Sequence, residues 1–266
     1  MKRTNVMVVG LPGNMASLIA TKIAKCKDMV LSPVCLTHET FGIIKRDGFA
    51  LQGIRVPDHE NAIRKYKPDV IVDFSKGSPE ENCSMFCECG VPFVMGTTGV
   101  NMETMKEMVE NSNISAVIAP NMATPIVALQ AMLEYVAKNF PSAFSGYSLK
   151  IEESHQEEKV DTSGTAIAVE RLLNATGAVS DDNGILSIRN PLIQERLYGV
   201  PKEYLKGHGY HKYSLVSSDG TVVINIGHNI NGRNIYVDGT MRAIRFLAKK
   251  SDEHGKVFSM TDVLKV

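Results

Sequence analysis

The residue types and spacings best suited to chemistry lie between Glu152 and Ala166, in the run EESHQEEKVDTSGTA. The alternating apolar and polar residues of 147–151 predict a strand before this run, and the residues after it predict a helix. This order would deliver His155 and Lys159 from a strand, and Ser163-Gly164-Thr165 would open the helix.

These groups suit a small polyanionic substrate that must also exchange a proton. The first N–H groups of a helix are unpaired and carry a partial positive charge, so they hold carboxylates and phosphates. Lys159 adds a cation, and histidine is the side chain that exchanges protons near neutral pH. A solvated loop followed by a serine-capped helix is the alternative, and the residue types alone leave both interpretations open.

The composition excludes several classes of partner. The chain has 266 residues, of which 44% are hydrophobic, so one large or two modest domains are expected. Lys and Arg total 29, as do Asp and Glu, so no basic excess indicates a nucleic-acid partner. No apolar run approaches the length of a membrane-spanning helix, so no membrane partner is expected.

The five cysteines are expected to be reduced and mostly buried. Cys83, Cys87 and Cys89 resemble part of a metal cluster, but no second cysteine or histidine group completes a site. We therefore expect no metal. The chain begins with a short polar segment that leads directly into a strand, without the features of a signal peptide, and a cytoplasmic protein is expected.

A glycine motif lies near the start of the chain. The strand predicted at 5–9 ends in GLPGNMA, and a helix is predicted from Met15. Gly10 would allow a tight turn, and Gly13 would let the backbone approach a pyrophosphate at the helix N-terminus. The spacing is GxxGxxA rather than GxGxxG, so a strand, turn and helix without a ligand is the alternative.

The choice between NADH and NADPH depends on the residues after the second predicted strand. Glu39 could bind the ribose hydroxyls of NADH, as an acidic residue does at this position in many dinucleotide sites. Thr37 and His38, with Lys45 and Arg46 downstream, could instead meet the 2′-phosphate of NADPH, although the last two also suit an ordinary surface. On balance these residues favour NADPH.

Strands alternate with helices through the N-terminal half. The predicted strands are 5–9, 29–36, 70–75, 93–95 and 114–119, and the predicted helices are 15–25, 58–67, 79–90, 102–110 and 124–139. This alternation is typical of an α/β fold, a Rossmann-like doubly wound parallel sheet with helices on both faces. Ligands bind such sheets at the carboxyl ends of the strands, where the runs VDFS, GTTG and APNMA fall.

The pattern changes in the C-terminal half. Strands are predicted at 185–189, 209–217 and 221–228, and Asp219-Gly220 between the last two is a strong hairpin signal. We expect a second, α+β domain on a mixed sheet, with one face covered by an oligomer partner. Arg233 could clamp a carboxylate or form a structural ion pair. The predicted boundaries are 1–123, with 239–266 returning to it as a helix at 240–249, and 124–238.

The motifs GLPGNMA, VDFS, GTTG, APNMA, ESHQEEKVDTSGTA and GRNIYVDGT occur in this order along nearly the whole chain. Together they resemble the 4-hydroxy-tetrahydrodipicolinate reductase (dihydrodipicolinate reductase) family of lysine biosynthesis. The chain is most similar to the plant-type branch, which shares ESHQ and the stretch PKEYLKGHGYHKYSL. A mature plant protein of this kind would reside in the plastid stroma.

The resemblance implies that the first domain binds NADPH or NADH and the second binds a cyclic imine dicarboxylate and forms a homo-oligomer, a dimer or a tetramer. It implies His155 as the proton donor and Lys159 as the residue that holds substrate and assists protonation. The expected substrate-binding residues are Thr98, Ser163, Gly164, Thr165 and Arg233. The expected cofactor-binding residues are Gly10, Pro12, Gly13, Asn14, Met15, Thr37, His38, Phe74, Ser75, Gly96, Thr97, Thr98, Ala119, Pro120, Asn121 and Met122.

The chain departs from the family pattern at several positions. Most bacterial members have a second histidine where this chain has Gln156, which can donate a hydrogen bond but cannot carry a proton. They also have a proline before the serine, and here the loop is one residue shorter. Asn14 replaces a basic residue and Ala16 replaces the third glycine, so the preference between NADH and NADPH stays open.

Two other functions are compatible with the same two-domain plan. One is an NAD(P)-dependent dehydrogenase of another small amino or imino acid, which has no reason to carry SHQEEKVDTSGTA. The other is a non-catalytic, nucleotide-binding regulatory protein, against which the intact His155 and Lys159 argue.

Overall fold

The computed structural model describes residues 2–38, 42–97 and 101–265. The chain divides into two compact units, residues 1–124 with 236–266 (unit 1) and residues 125–235 (unit 2). Each unit has its own sheet and its own hydrophobic core.

The elements follow one another in a regular order. In chain order up to the end of the first half they are β1 (Thr4–Val9), α1 (Asn14–Ala24), β2 (Met29–Leu31), β3 (Val34–Thr37), β4 (Gly42–Arg46), β5 (Phe49–Arg55), α2 (His59–Tyr66), β6 (Val70–Asp73), α3 (Pro79–Glu88), β7 (Phe93–Met95), α4 (Met102–Glu110), β8 (Ser115–Ile118) and α5 (Thr124–Asn139). They continue with β9 (Tyr147–His155), α6 (Gly164–Asn174), β10 (Val179–Ile188), α7 (Pro191–Tyr198), a 3-10 turn (Lys202–Tyr204), β11 (His208–Ser217), β12 (Val223–Asn231), α8 (Asn234–Ala248), β13 (Lys256–Phe258) and α9 (Met260–Leu264).

Unit 1 is built on one nine-stranded sheet with the order β13-β8-β7-β6-β1-β3-β5-β4, and β2 also pairs with β1. Its strand pairs are parallel, apart from the antiparallel pair of β4 with β5. The central strands β6 and β8 are buried along their whole length, as expected of parallel strands that are covered on both faces. The chain leaves β1 towards β3 on one side and returns to β6 on the other, which makes the β1–β6 junction the topological switch point.

Two parts of the predicted N-terminal half were wrong. The single strand predicted at 29–36 is two strands, because Ser32 and Pro33 interrupt it and proline has no N–H for a sheet hydrogen bond. The hairpin of β4 and β5 was not predicted at all. Its signal was present in Asp47-Gly48, a residue pair typical of hairpin turns, in which Gly48 adopts a φ of 89°.

Unit 2 contains a four-stranded mixed sheet with the order β10-β9-β11-β12. β10 runs parallel to β9, while β9 with β11 and β11 with β12 are antiparallel. The hairpin predicted at Asp219-Gly220 joins β11 to β12, and β10 starts at Val179, earlier than predicted. The α/β fold with a second mixed sheet is therefore confirmed.

One face of the unit 2 sheet changes character along its strands. Leu149 and Ile151 of β9 and Tyr213 and Leu215 of β11 form an apolar core with α6. Farther along the same face, the alternation of β9 brings in Glu153 and then His155. The polar end of this face is the part of unit 2 that carries the predicted chemistry.

The cysteines are free thiols, as expected, but they are not mostly buried. Only Cys35 and Cys83 are buried, and Cys83 and Cys87 lie one turn apart on α3. Within the described residues, no helix combines the length and the apolar character that crossing a membrane requires.

Candidate active site

The turn after β1 is shaped by two glycines. Gly10 has a φ of 98°, a conformation that favours glycine, and its N–H donates to the Leu36 carbonyl at 3.0 Å. A Cβ on Gly10 would lie only 2.7 Å from the Ser75 nitrogen, so the turn packs directly on the loop after β6. The Gly13 N–H donates to the Gly10 carbonyl at 2.9 Å and closes the turn.

The N-terminus of α1 is open to an anion. Gly13 is the N-cap and supplies no side chain, and the first turn of α1 contains no acidic residue. Pro12 and Asn14 are exposed, and Met15 is partly exposed. The unpaired N–H groups at a helix start attract phosphate, so this turn fits the pyrophosphate of a dinucleotide.

A buried aspartate that sequence reasoning missed holds the loop after β6. Asp73 is fully buried and accepts a hydrogen bond from the Ser75 N–H at 2.7 Å and from the Asn82 side chain at 2.8 Å. Asn82, on α3, also donates to Ser75 Oγ at 3.1 Å. These bonds fix Ser75 beside Gly10 at the switch point.

The next strand end contributes Gly96 and Thr97. A Cβ on Gly96 would overlap the Phe74 ring, so the aromatic side chain packs directly against this glycine. The Gly96 N–H donates to the Asp73 carbonyl at 3.1 Å, and Thr97 Oγ1 donates to the Ser75 carbonyl at 3.3 Å. Thr98 and Gly99, the remainder of the GTTG run, lie outside the described residues.

The end of β3 carries the residues predicted to choose between NADH and NADPH. Thr37 is fully buried, and its carbonyl lies 2.9 Å from Nε2 of the buried His59. His38 is exposed, and its ring meets the His59 ring edge-on, with centroids 5.7 Å apart. Glu39, the alternative partner for a ribose, lies outside the described residues.

The loop after β8 is tied to its neighbours through the backbone. The Ala119 N–H donates to the Met95 carbonyl at 3.0 Å, which continues the pairing of β8 with β7. The Asn121 side chain accepts from the Ala123 N–H at 2.9 Å, whereas Pro120 is exposed. This loop therefore keeps a defined shape at the same edge of the sheet as the glycine turn.

Gly239 brings α8 against that loop. A Cβ on Gly239 would overlap the Met122 carbonyl, so only glycine permits this close approach. The helix begins at Asn234, six residues before the predicted start at Thr240, and the run IYVDGT is therefore helical.

In unit 2, a buried carboxylate organises the end of β9. Glu153 is fully buried and lies two residues before His155, on the same face of the strand. Its Oε2 accepts a hydrogen bond from His155 Nδ1. Its Oε1 accepts from Arg189 Nη2 at 2.6 Å and from Ser187 Oγ at 2.7 Å.

The charge on Glu153 is stabilised by these donors. Burial alone opposes ionisation, but the hydrogen bonds from His155, Arg189 and Ser187 outweigh it and hold the pKa of Glu153 well below its ordinary value. Glu153, His155 and His211 also offer atoms close enough together to hold a metal ion. Because both oxygens of Glu153 are engaged and one bonds a guanidinium, we interpret this group as an ion-paired network.

Lys159 is tied to the same network through its backbone. Its carbonyl accepts from Arg189 Nε at 2.8 Å, while its ammonium group forms an ion pair with Asp161 at 2.6 Å. The Lys159 side chain is 17% exposed and that of Asp161 is 74% exposed. The hydrogen bond from Lys159 lowers the pKa of Asp161 below its ordinary value. An exposed partner of this kind is easily exchanged for a substrate carboxylate.

The start of α6 resembles that of α1. Ser163 is the N-cap, but its hydroxyl forms no capping hydrogen bond, and the first turn holds no acidic residue. Ser163 Oγ lies 3.4 Å from His211 Nε2, and His211 Nδ1 lies 2.8 Å from the Tyr213 hydroxyl. Gly164 is exposed and Thr165 partly exposed. The Ser163 hydroxyl therefore does not cap α6, and the start of a helix is a place where a carboxylate is stabilised.

Three histidine rings lie in a row across this face. The rings of His155 and His211 meet edge-on with centroids 5.2 Å apart, and those of His211 and His228 stack at 4.5 Å. Burial, then the neighbouring His228, lowers the pKa of His211 to about 3, and burial lowers the pKa of His228 to about 4. Within the described residues, neither ring nitrogen of His228 has a hydrogen-bond partner.

Arg233 lies near the start of β11. Its Nη1 would be 3.4 Å from a Cβ on Gly207, and Gly207 accepts from the Gly232 N–H at 2.8 Å. It forms no ion pair with a carboxylate of the described part of the chain. Its guanidinium is therefore available for a carboxylate ligand.

A cavity of about 640 Å³ also lies in unit 2. Its lining includes His211 and His228 of the histidine row together with Glu152 and Lys212, but neither His155 nor Lys159. Glu152 and Lys212 face away from Glu153 along the sheet, as alternate residues of a strand must. We therefore do not assign the predicted chemistry to this cavity.

The sequence motifs predicted His155, Lys159 and the start of α6 at the polar end of unit 2. They did not predict the residues that position these groups through hydrogen bonds. Glu153, Ser187, Arg189, His211 and Tyr213 were missed. Glu153 could have been found, because glutamate and histidine at i and i+2 of a strand share a face. Arg189 is 36 residues from Glu153, so its contact follows only from the parallel pairing of β10 with β9.

The depressed pKa values of His211 and His228 predict a pH-dependent stability. Both stay neutral in the folded protein, whereas the unfolded chain protonates them below a pKa of 6.5, so the free energy of unfolding should fall as pH falls from 6.5 towards 4. The slope is at most about 1.4 kcal/mol per pH unit for each histidine. Urea unfolding at several pH values would measure it.

His228→Phe should reduce that slope, because it removes one titrating ring and keeps an aromatic side chain for stacking. His254→Phe is the matched control, since His254 is exposed, and should leave the slope unchanged. An unchanged slope in His228→Phe would contradict the assignment of a buried, neutral ring.

Comparison with known families agrees with the motifs. The models of the N-terminal and C-terminal parts of dihydrodipicolinate reductase match residues 4–122 and 125–264. A solved dihydrodipicolinate reductase with bound dipicolinate, from Paenisporosarcina sp. TG-14, has a similar fold, with a TM-score of 0.65 and 17% identity over 97% of this chain and 98% of that chain.

Curated relatives are more similar in sequence. The probable 4-hydroxy-tetrahydrodipicolinate reductase 1 of Oryza sativa subsp. japonica, named as chloroplastic, is 43% identical over 77% of this chain, and the match spans 61% of that protein, less than two thirds of its length. The 4-hydroxy-tetrahydrodipicolinate reductase of Methanothermobacter thermautotrophicus is 31% identical over 97% of this chain and 98% of its own. With both halves matched and the predicted resemblance confirmed, the chain belongs to the dihydrodipicolinate reductase family.

Proposed function

We propose that the protein catalyses the NAD(P)H-dependent reduction of 4-hydroxy-tetrahydrodipicolinate to tetrahydrodipicolinate in the diaminopimelate and lysine pathway. The observation that carries this proposal is the polar end of unit 2, where Glu153 and Arg189 join His155 to the Lys159 backbone and where His211 lies beside the uncapped start of α6. The names of the relatives support the same reaction.

In this proposal unit 2 binds the substrate, a small cyclic imine with two carboxylates. Ser163, Gly164 and Thr165 present the N–H groups and hydroxyls of the α6 start to one carboxylate. Lys159 exchanges its exposed partner Asp161 for the substrate, and Arg233, which forms no ion pair with the carboxylates that the structure describes, offers its guanidinium to a carboxylate. Each charge-assisted hydrogen bond contributes about 1.5–3 kcal/mol, so a few of them orient the ring.

The proposed proton donor is His155. Its Nδ1 is engaged by Glu153, which leaves Nε2 as the nitrogen that can deliver a proton to the substrate. A positioned general acid contributes about 10²–10⁴-fold to the rate. Gln156, which replaces a histidine of most bacterial members, is left with hydrogen bonding alone.

Unit 1 is the proposed cofactor-binding part. NADPH or NADH would supply a hydride to the ring of the substrate. Gly10, Gly13 and the N–H groups of α1 would hold the pyrophosphate, and Phe74, Ser75, Gly96, Thr97 and the loop 119–122 would line the rest of the cofactor. His38 is the exposed residue that favours NADPH, and the absence of a cation at Asn14 weighs against it. No residue of the proposed mechanism requires a metal.

The direct test is oxidation of NADPH and NADH by the purified protein. The substrate is generated in the assay by the synthase that forms it in the step before this one. We expect oxidation that depends on the synthase, and the ratio of kcat/KM for the two cofactors would give the preference. Oxidation with a simple amino or hydroxy acid, and none with the imine, would favour the competing dehydrogenase. Cofactor binding without turnover on any imine would favour a regulatory protein.

Lys159→Met should raise KM for the imine and lower kcat strongly, because the variant loses the cation but keeps an unbranched side chain of similar length. The affinity for NADPH, measured by calorimetry, should stay within about twofold, since Lys159 belongs to the proposed substrate site. Lys138→Met is the matched control on α5, remote from the site in sequence. Unchanged kcat and KM in Lys159→Met would contradict the proposed role of Lys159 in binding the substrate.

We also propose that the protein is a homo-oligomer, a dimer or a tetramer, that associates through unit 2. Val179, Leu186 and Val223 lie on the face opposite Glu153 and are 66%, 52% and 54% exposed. They lie on the two edge strands of the sheet, and exposed apolar residues on one sheet face are typical of an interface. Light scattering should give a mass above the 29.1 kDa of one chain, and a monomer at micromolar concentration would refute the proposal.

The proposed compartment is the cytoplasm, or the plastid stroma if the source is a plant. The free thiols support a reducing compartment. Cysteine accessibility in freshly lysed cells would test this, because oxidised thiols would argue against it.

A further inference from the structure

The ring of His155 has two chemically different sides. Nδ1 faces Glu153, its neighbour on the same face of β9. Nε2 faces Gly209, the residue opposite His155 in β11, where a Cβ would lie 3.3 Å away. Because Gly209 has no side chain, the Nε2 side of the ring is not crowded by a Cβ, which would make a tighter contact than an ordinary van der Waals one.

Glu153 can act only as an acceptor towards this ring. It is fully buried, and Arg189 and Ser187 donate to its other oxygen, so its negative charge is retained in the fold. An ionised carboxylate has no proton to give, and a hydrogen bond to it therefore requires a proton on Nδ1. The neutral ring must then carry its lone pair on Nε2.

The same carboxylate also fixes the other proposed catalytic residue. Arg189 is held by Glu153 through Nη2 and donates through Nε to the Lys159 carbonyl. Gln194, which is fully buried, donates to the His155 carbonyl at 2.6 Å and to the Ile188 carbonyl at 3.0 Å, which joins the ends of β9 and β10. Donors on β10, on the residue after it and on α7 therefore hold the ESHQEEK segment at Glu153, His155 and Lys159.

We propose that Glu153 is a positioning residue that holds His155 in the Nδ1–H form and aims Nε2 at the substrate. This inference rests on the proposed reduction and adds a residue to it. In the protonated ring both nitrogens carry protons. The 4-hydroxyl group of the substrate leaves as water. The Nε2–H bond then breaks as a C–H bond forms at the substrate carbon next to the one that receives hydride, and the Nδ1 proton stays on the ring beside Glu153. Water then returns one proton to Nε2, so the ring is restored in each cycle.

The unmodified protein provides the first test. Two-bond proton–nitrogen correlations in nitrogen-15-labelled protein, recorded in mildly alkaline buffer, distinguish an Nδ1–H ring from an Nε2–H ring. The signal that disappears in His155→Asn assigns the residue. We expect the Nδ1–H form, and an Nε2–H ring would overturn the proposal. Because this readout needs neither substrate nor cofactor, it is independent of whether the proposed reaction is observed.

Kinetics of three variants provide the second test. Glu153→Gln keeps the size of the side chain and an acceptor for Arg189, but its amide nitrogen cannot accept from Nδ1–H. We expect kcat to fall by about 10²–10⁴-fold, the range of a lost general acid, with a much smaller change in KM. The solvent deuterium isotope effect on kcat should rise, because proton transfer becomes the slow step.

Glu153→Asp keeps the charge and should retain more activity than Glu153→Gln, although it removes a methylene from a buried site. A role in packing alone predicts the opposite order. Glu152→Gln is the matched control, the same change on the neighbouring residue of the opposite sheet face, and should leave kcat near that of the wild type. A Glu153→Gln enzyme with wild-type turnover, or Glu153→Asp no better than Glu153→Gln, would overturn the proposal.

The two levels of inference fail in different ways. If the wild-type protein does not turn over the imine, the proposed reaction is wrong, and the tautomer of His155 still decides the role of Glu153. If Glu153→Gln does not fold, the tautomer in the wild-type protein decides it alone.

Discussion

A carboxylate buried away from water destabilises a protein unless donors compensate its charge, and Glu153 meets this condition with three of them. Ser187 lies on β10, Arg189 directly follows that strand, and His155 lies on β9, the strand that also contains Glu153. Because β9 and β10 run parallel, both strands end at the same edge and bring these groups together. The low pKa of Glu153 is thus a consequence of the sheet topology.

The rest of the site in unit 2 depends on this arrangement. Arg189, which binds Glu153, also donates to the Lys159 carbonyl and so fixes the backbone there. β11 places Gly209 opposite His155, next to its ring. His211, in the same strand, reaches both Tyr213 and the N-cap Ser163 of α6. A histidine, a lysine and an uncapped helix start, which are separate in the sequence, form one connected polar region beside an apolar core.

In unit 1 the candidate site depends on a different feature, the reversal of strand order at β1. The turn after β1 and the loop after β6 meet there, and Gly10 permits their contact because a Cβ would collide with the Ser75 backbone. Such features are local in sequence. The strand, the glycine turn and the helix at the start of the chain could therefore be predicted, as could the Asp219-Gly220 hairpin. The strand break at Pro33 and the turn at Asp47-Gly48 also had local signals in the sequence. They could have been predicted, although they were not.

The contacts that could not be predicted are those between distant strands. His155 and Lys159 were found by their types and spacing, but nothing near them in sequence indicates that Arg189 binds Glu153 or that His211 reaches Ser163. Those contacts require the pairing of β9 with β10 and β11, which the hydrophobic pattern does not determine.

The central claim is that this network supports a reduction in which hydride and proton come from different sources. The most direct measurement is the mass of the product formed with cofactor deuterated at its transferable position, and separately with ordinary cofactor in heavy water. The account predicts one deuterium from the cofactor in the first experiment and one carbon-bound deuterium from solvent, on the adjacent carbon, in the second. A product that gains no deuterium from the cofactor, or none on carbon from heavy water, would contradict it.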